Sequence, residues 1–270
     1  MRIEMPDEPD MTPATTLLAA QQVNYHYGEQ QVLHDISVTV AAGSMVGIIG
    51  PNGAGKSSLL KLLAGLLIPS HGQLRLHERD LQQYRKPELA RLISYLAQGA
   101  PVHWPLQAQR VVELGRLPHT GVADALSDAD RQAVADAMLR ADVTAFADRA
   151  VTELSEGERM RVMIARMFAT QAQLMLADEP TAALDLYHQH HTLALFQQHC
   201  RHGGSAVLVL HDLNLAARYC DQLLLLDQGR LVCSGTPAQV LTTARLQSVY
   251  RMTLRIQPVD GVLQVLVAAP

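Results

Sequence analysis

The stretch from Ile48 to Gly65, IIGPNGAGKSSLLKLLAG, places glycines, a lysine and hydroxyl groups directly before a leucine-rich segment. Residues Gly50 to Ser57 have the spacing G-x-x-x-x-G-K-[ST]. Glycines let backbone N–H groups curve around an anion, because side chains there would block its approach. The N-terminus of a following helix adds partial positive charge. The pattern therefore predicts a phosphate-binding loop.

The polar residues of this loop have separate predicted roles. Lys56 can reach the β- and γ-phosphates of a nucleotide, and the Ser57 hydroxyl is a suitable ligand for Mg²⁺. A glycine-rich turn with an incidental lysine is the alternative, but the apolar strand before the loop and the amphipathic helix after it favour nucleotide binding. We predict nucleotide contacts from the whole loop: Gly50, Pro51, Asn52, Gly53, Ala54, Gly55, Lys56, Ser57 and Ser58.

Acidic side chains follow a second apolar stretch, LMLADEP at 174–180. Asp178 can hold Mg²⁺ through its water shell, and the neighbouring Glu179 can orient or deprotonate an attacking water. His211 directly follows the apolar stretch AVLVL, so it is expected at the same carboxyl edge of the sheet as a sensor of the γ-phosphate. The alternatives are a polar strand end and a structural histidine.

A second anion site is predicted in LSEGERMRVMIAR, residues 154–166. Ser155 and Glu158 have the spacing of a capping box, so a helix is expected to begin at Ser155, with Gly157 keeping its first turn open. Such a helix start, with free N–H groups and a hydroxyl, binds anions. It is distant from Lys56 in the sequence. We therefore expect each nucleotide to be held by two chains, each providing one half of the site.

The elements that must position these residues predict an α/β fold. Alternating apolar and polar residues around Val23–Tyr27 and Ile36–Val40 indicate half-buried strands joined by a turn at Gly28. MVGIIG, LMLA and AVLVL are apolar on both faces, which is typical of central strands in a covered parallel sheet. The buried face of the helix after the loop is expected to consist of Leu59, Leu62, Leu63 and Leu66.

Hairpins and a helical insert complete the expected organisation. QLLLLDQGRLVCSG predicts a hairpin with its turn near Gln228-Gly229, and the segment 252–267 predicts another with Asp260-Gly261 as its turn. From about 100 to 170 the chain is mostly helical, and a capping box marks the start of one helix at Ser127. This helical segment interrupts the α/β core.

Composition argues against some partners. The formal net charge of −4 disfavours nucleic acid, and the widely spaced cysteines form no CxxC pair, which fits a reducing compartment. No apolar run approaches the roughly 20 residues that span a bilayer, and residues 1–16 lack the features of a signal peptide and are predicted to be a disordered lead-in. We therefore expect a cytosolic protein with any membrane role exerted through a partner.

These motifs together resemble the ATP-binding subunit of an ABC transporter. Gly50–Ser57 matches the family's Walker A motif, LMLADE its Walker B motif and LSEGE its LSGGQ-type signature. The remaining motifs occur in family order between about Leu17 and Val249: Tyr27 as the aromatic that stacks on adenine, Gln98 in the Q-loop, TAALD at 181–185 as the D-loop and His211 as the switch histidine.

The resemblance implies a P-loop NTPase fold with a RecA-like core sheet, an N-terminal antiparallel β subdomain and an inserted α-helical subdomain. The ATP-binding domain would cover 17–250, with helices at about 99–170, and 251–270 would be a C-terminal hairpin extension. ATP and Mg²⁺ are the implied ligands. The implied metal-binding residues are Ser57, Gln98 and Asp178. The implied catalytic residues are Glu179, His211 and Gln98. Ser155, Gly157 and Asp185 are implied to contact a nucleotide. Glu156 departs from the usual glycine of the signature.

The implied assembly is a head-to-tail homodimer docked on two membrane permease subunits at the cytoplasmic face of a bacterial inner membrane, with an extracytoplasmic binding protein acting indirectly. VVELGRLPHTG, ELARLISYLAQ and HDLNLAARYCD resemble ATPases that power uptake of iron(III)-siderophores, haem and cobalamin. An iron(III)-siderophore or similar metal chelate is favoured, since siderophore importers are the most numerous type, and haem, cobalamin and other metal chelates are alternatives. The rivals are a non-transport ABC ATPase in translation or DNA repair and a regulatory protein that binds ATP without hydrolysing it.

Histidines recur in YHQHHTLALFQQHCRH, residues 187–202. His188, His191, His199 and His202 lie near helical spacing, so a metal site is one interpretation. An exposed polar helix face is the favoured alternative.

Overall fold

The computed structural model describes residues 15–99, 104–120 and 125–267. The predicted lead-in at 1–16 therefore lies outside the described residues except for its last two, and the first strand begins at Thr16. The strands of the described ranges are β1 (Thr16–Tyr27), β2 (Gln30–Ala41), β3 (Met45–Ile49), β4 (His71–Leu76), β5 (Arg79–Asp80), β6 (Ile93–Leu96), β7 (Leu174–Asp178), β8 (Ser205–Val209), β9 (Gln222–Asp227), β10 (Arg230–Gly235), β11 (Leu254–Val259) and β12 (Val262–Val267).

The α-helices of the same ranges are mostly short, and short 3₁₀ turns lie between some of them. They are α1 (Lys56–Leu63), α2 (Lys86–Leu92), α3 (Ala108–Glu113), α4 (Leu117–Thr120), α5 (Asp128–Arg140), α6 (Glu156–Ala169), α7 (Leu186–Arg201), α8 (Leu213–Tyr219), α9 (Pro237–Val240) and α10 (Thr243–Tyr250).

A six-stranded sheet in the order β10-β9-β3-β8-β7-β6 forms the centre of the fold. The strands from β9 to β6 run parallel, and β10 pairs antiparallel with β9. Side chains along each central strand alternate between two cores. In β3, Met45 and Ile49 face one core, whereas Val46 and Ile48 face the other. Burial on both faces confirms the predicted covered parallel sheet.

The antiparallel sheet, in the order β2-β1-β4-β5, shares the second core with α1. The two predicted alternating strands are confirmed as β1 and β2, with the turn at Gly28. In β2, Ile36, Val38 and Val40 are buried while the residues between them are exposed. This sheet therefore covers one face of the central sheet, close to the predicted loop.

The prediction that Leu66 belongs to the buried face of α1 is wrong. Leu59, Leu62 and Leu63 are fully buried, but Leu66 is 57% exposed because the helix ends before it. Gly65 adopts φ +68°, its N–H donates to Leu62, and the N–H of Leu66 donates to Lys61. This is a Schellman motif, in which a left-handed glycine turns the chain out of the helix.

The helical insert packs α3, α5 and α6 around the first core. Its predicted capping box is confirmed, since Ser127 Oγ accepts from the Asp130 N–H and Asp130 accepts from the Ser127 N–H. Arg116 forms a buried ion pair with Asp130 at 2.8 Å and also donates to the carbonyl of Ala169. This pair therefore ties the start of α5 to the end of α6.

Both predicted hairpins are confirmed. β9 and β10 turn at Gln228-Gly229, and β11 and β12 turn at Asp260-Gly261, with positive φ at all four turn residues. The second hairpin packs on α8, where the Asn214 side chain donates to the Val265 carbonyl and accepts from the Val265 N–H. The hairpin is thus attached to the helix that follows His211.

Candidate active site

The predicted phosphate loop links the carboxyl end of β3 to the N-terminus of α1. Gly50 has φ +146°, and a Cβ there would lie 2.1 Å from the carbonyl oxygen of Leu226. Gly55 has φ +93°, and a Cβ there would lie 2.7 Å from Leu33 Cδ2. Only glycine fits at these two positions, and the resulting backbone cradle at a helix N-terminus suits an anion.

Lys56 is buried at the base of the loop, with 6% of the residue exposed. Its Nζ donates to the carbonyl oxygens of Gly50 at 2.8 Å and Pro51 at 2.9 Å. Burial lowers the pKa of the ammonium group, while the charges of Glu179 and Asp178 oppose that shift. Because an ammonium group has three N–H donors, one is left for a phosphate oxygen.

Asp178 ends β7 and is almost completely buried. Burial raises the pKa of its carboxyl group, and a hydrogen bond with the Ser57 side chain opposes the shift. Its Oδ1 has no hydrogen-bond partner among the described residues. A buried carboxylate oxygen without a partner, beside a serine hydroxyl, matches the oxygen ligands that Mg²⁺ prefers. The residues present therefore fit the predicted cation.

Glu179 and His211 form a direct pair at the carboxyl edge of the central sheet. His211 Nε2 lies 2.5 Å from Glu179 Oε1. Glu179 has φ +55°, and its N–H donates to the Val209 carbonyl of the neighbouring strand. The His211 side chain is 46% exposed and that of Glu179 is 16% exposed. The pair can therefore be reached from the adjacent cavity.

A cavity of about 680 Å³ joins the loop to this pair. The structure thus brings together predicted residues that follow β3, β6, β7 and β8. The cavity is lined by Val32, Asn52, Gly53, Gly55, Lys56, Ser57, Ser58, Gln98, Glu179 and His211. Gly50, Pro51 and Ala54 instead shape the loop backbone, and Ala54 is 2% exposed with its carbonyl accepting from the Gly229 N–H.

Tyr27 ends β1 and is 53% exposed. Its ring makes a T-shaped contact with Tyr25, with 5.2 Å between the ring centroids. It is not one of the residues that line the 680 Å³ cavity. Its contact with adenine therefore stays a prediction.

The signature residues lie in a different cavity of about 470 Å³. Ser155 caps α6, because its Oγ accepts from the Glu158 N–H and Glu158 accepts from the Ser155 N–H, which confirms the capping box. A Cβ on Gly157 would lie 2.9 Å from the Ala183 carbonyl, so α6 and the D-loop segment are in close contact. The lining is Ser155, Glu156, Gly157, Glu158, Arg161, Ala183, Leu184, Asp185 and His188.

The structure also shows candidate residues that the sequence analysis missed. Val32 of β2 reaches the first cavity, and Arg161 of α6 reaches the second. His188, considered from the sequence only as a possible metal ligand or surface residue, also lines the second cavity. The buried hydroxyl of Tyr95 has no hydrogen-bond partner within the described ranges. Burial, followed by the charge of Asp178, raises the pKa of Tyr95 to about 12. The three-residue spacing of His188 after Asp185 was an available signal, because residues three apart lie on one helix face.

The histidines of α7 make separate contacts. His188 binds Asp185, His190 contacts the Tyr219 hydroxyl at 2.8 Å, and His199 contacts the Gln173 carbonyl at 3.2 Å. Burial lowers the pKa of His199. Within residues 15–99, 104–120 and 125–267, no three His, Cys, Asp or Glu residues are grouped so that they could hold a metal ion.

In the part of the chain that the structure describes, no helix combines the length and the apolar character needed to cross a membrane.

Comparison with known proteins gives consistent matches. A family model described as ABC transporter matches residues 33–182. A hemin import ATP-binding protein of Streptomyces coelicolor is 42% identical over 250 residues, covering 93% of this chain and 89% of that protein. A hemin import ATP-binding protein of Thermobifida fusca is 43% identical over 258 residues, covering 95% of this chain and 90% of that protein.

Solved structures agree with these matches. An inward-facing ABC transporter of the metal-chelate type has a TM-score of 0.81 at 24% identity, covering 94% of this chain and 98% of that chain, and shows the fold. A dimeric ATP-binding cassette in a post-hydrolysis state, bound to ADP and phosphate, has a TM-score of 0.73 at 26% identity. The match covers 82% of this chain and 99% of that chain. The predicted P-loop NTPase fold class is confirmed.

Proposed function

The chain belongs to the ATP-binding proteins of the ABC transporter family, and on this premise we propose that it is the ATP-hydrolysing subunit of an importer whose cargo is haem. The observation that supports ATP hydrolysis is the Glu179–His211 pair beside the phosphate loop. The hemin import relatives favour haem over the iron(III)-siderophore that the sequence motifs favoured. Import relatives also argue against a role in translation or DNA repair.

ATP would bind with its triphosphate on the loop from Gly50 to Ser58. The backbone cradle and the remaining Lys56 donor would hold the β- and γ-phosphates. Tyr27 would stack on the adenine ring. Because Lys56 is already fixed by the loop carbonyls, ATP can bind without reorganisation of this side chain.

Mg²⁺ is the cation that the residues around Asp178 would hold. Ser57, Gln98 and Asp178 would provide its protein ligands, directly or through water, and the ion would offset the negative charge of the phosphates. The buried Asp178 Oδ1, which has no hydrogen-bond partner in the part of the chain that the structure describes, supports this proposal.

Glu179 would orient and deprotonate the attacking water, with His211 near the γ-phosphate and Gln98 lining the same cavity. The short contact between Glu179 and His211 lets the imidazole orient the carboxylate. Departure of phosphate would then change the contacts of Gln98, which lies beside the helical insert. That residue would pass the nucleotide state to a docked membrane partner.

The separation of the two cavities supports a head-to-tail homodimer. Neither cavity shares a lining residue with the other, so a nucleotide on Lys56 would be completed by Ser155, Gly157 and Asp185 of a second copy. We further propose docking on two membrane permease subunits at the cytoplasmic face of the inner membrane. The ATP-binding domain would comprise 17–250, with its helical subdomain at about 99–170 and the extension at 251–270.

Uptake assays test the cargo. A strain that lacks this gene, but keeps its permease genes, is supplied in parallel with labelled haem, iron(III)-siderophore and cobalamin. We expect haem uptake to fall and to return with the intact gene but not with Glu179→Gln. Loss of siderophore or cobalamin uptake with normal haem uptake would contradict haem as the cargo and support the corresponding alternative.

A further inference from the structure

His188, in the first turn of α7, lies between two carboxylates from separate parts of the fold. Its Nδ1 is 2.8 Å from Asp185 Oδ1, and its Nε2 is 3.8 Å from Asp142 Oδ2. The imidazole is 20% exposed and borders the second cavity. From the sequence, His188 was considered as a possible metal ligand or, preferably, as part of an exposed histidine face.

Asp142 connects this imidazole to the helical insert. It follows α5 with φ +53°, and Arg161 of α6 donates to its carbonyl oxygen at 2.6 Å and to its Oδ2 at 3.1 Å. Arg161 is itself buried, with 9% of the residue exposed. The end of α5 and the signature helix α6 therefore meet at Asp142.

Asp185 connects the same imidazole to the core. It caps α7, because its Oδ1 accepts from the backbone N–H of His188. It also ends the D-loop segment 181–185 and lines the second cavity. Hydrogen bonds from His188 lower the pKa of the Asp185 carboxyl group, so it is charged at neutral pH. The contacts thus run from Arg161 through Asp142 and His188 to Asp185.

We propose that His188 is a positioning residue that bridges Asp142 and Asp185, so that the signature helix and the D-loop segment present one surface to the nucleotide of a second copy. This inference rests on the proposed function. The bridge does not touch the nucleotide of its own chain, whose site is the other cavity. Its loss would weaken the connection between the helical insert and the D-loop and so disfavour closure of the dimer.

The bridge is expected to matter for closure more than for folding. The side chains of Asp142 and Asp185 are 70% and 66% exposed. Ion pairs with such exposed members add little to the free energy of unfolding. A functional defect without a loss of folding would therefore distinguish positioning from a structural role.

The test measures ATP-dependent dimerisation in full-length Glu179→Gln protein, which is expected to bind ATP without hydrolysing it. Light scattering over a titration with ATP and Mg²⁺ gives the half-maximal concentration for dimer formation. Adding His188→Ala is expected to raise that concentration at least about fivefold. Binding of a fluorescent ATP analogue to the monomer and the melting temperature are expected to stay unchanged.

Matched variants test the bridge itself. His188→Asn places an amide near the position of Nδ1 and can contact only Asp185, whereas His188→Gln places one near Nε2 and can contact only Asp142. Because neither variant contacts both carboxylates, each is expected to behave like His188→Ala. Asp142→Asn, which tolerates positive φ, should add nothing to His188→Ala. His202→Ala, at the other end of α7, should match the background.

Each outcome has a definite consequence. Unchanged dimerisation in His188→Ala, or full restoration by His188→Asn, would overturn the bridge while leaving the proposed function intact. Weakened monomer binding or a lowered melting temperature would show a structural role and also overturn it. A Glu179→Gln protein that fails to dimerise with ATP would overturn the proposed function, and the bridge with it.

Discussion

Glu179 is held in a left-handed backbone conformation that few residues other than glycine adopt. Such a conformation typically costs about 1–3 kcal/mol and persists only where surrounding contacts fix it. Here the Glu179 N–H donates to the Val209 carbonyl, and the carboxylate is held by His211. The conformation directs the acid toward the cavity instead of along the strand.

Glu179→Gln should therefore retain ATP binding and lose hydrolysis. The amide keeps the size of the side chain but cannot accept the proton of water, so the rate of phosphate release should fall at least about 100-fold. A phosphate-release assay, with size-exclusion chromatography to detect a nucleotide-stabilised dimer, provides the measurement. Rapid turnover by this variant would refute Glu179 as the base.

Lys56→Ala should weaken ATP binding. A hydrogen bond to a charged group contributes about 1.5–3 kcal/mol, so the dissociation constant should rise at least about tenfold. Isothermal titration calorimetry on the monomer measures this effect. Lys86→Ala, at an exposed position on α2 outside both cavities, is the charge-matched control. Equal affinities in the two variants would exclude Lys56 as a phosphate contact.

At the scale of elements, buried polar contacts connect helices that are far apart in the chain. Arg116 and Asp130 have side chains that are 7% and 9% exposed, and their pair joins α5 to the chain before α4. The Ser127 hydrogen bond, and then the Arg116 guanidinium, hold the pKa of Asp130 at about 2. This carboxylate is therefore charged in the folded protein well below the pH at which it would protonate in an unfolded chain.

The stability contributed by Asp130 should depend on pH. Because its folded-state pKa is lowered, the contribution is complete above the unfolded value near 4 and is lost as the pH falls toward 2. Asp130→Asn should lower the melting temperature at pH 7. The difference from the unsubstituted protein should shrink as the pH falls below about 4. A difference in melting temperature that stays constant across this pH range would contradict a stabilising role for the charged Asp130 carboxylate.

The C-terminal hairpin should loosen in Asn214→Ala. The amide makes both contacts between α8 and Val265, so its loss removes about 1–3 kcal/mol of local stabilisation. Hydrogen exchange of β11 and β12 should accelerate, while exchange in β3 stays slow. Asn52→Ala, in the phosphate loop, serves as the matched amide control and should leave hairpin exchange unchanged.

At the scale of the whole molecule, the phosphate loop and the signature open into separate cavities. One site carries the lysine, the two acids and the histidine, whereas the other carries a capped helix start and the D-loop. The first holds the proposed base Glu179 and its neighbour His211 but none of the signature residues. A second copy in the proposed head-to-tail orientation would bring its signature to this cavity.

Mixing two inactive variants should restore hydrolysis if sites are shared between chains. Lys56→Ala removes the lysine of the phosphate loop. Gly157→Asp adds a charged side chain to the signature, where even a Cβ would lie 2.9 Å from the Ala183 carbonyl oxygen. A heterodimer would contain one intact site, so an equal mixture should reach about a quarter of normal activity if sites act independently. No recovery, with both variants folded by melting temperature, would contradict shared sites.

Much of the site follows from local spacing. The phosphate loop, the acids after β7, His211 after β8 and the Ser155 capping box each depend on residues close together in the chain. Backbone geometry and strand polarity act over such distances, so residue type and spacing were sufficient to place these groups on their elements. The hairpin turns follow for the same reason, since positive φ at Gln228-Gly229 and Asp260-Gly261 suits those residue types.

Contacts between distant segments were decided only by tertiary structure. Val32 reaches the cavity because β2 packs beside the loop. The link from Asp142 through His188 to Asp185 depends on how the helical insert docks against α7. Docking arises from the summed packing of many side chains, and no short spacing encodes it. The sequence alone determined which groups could act, and packing determined which of them meet.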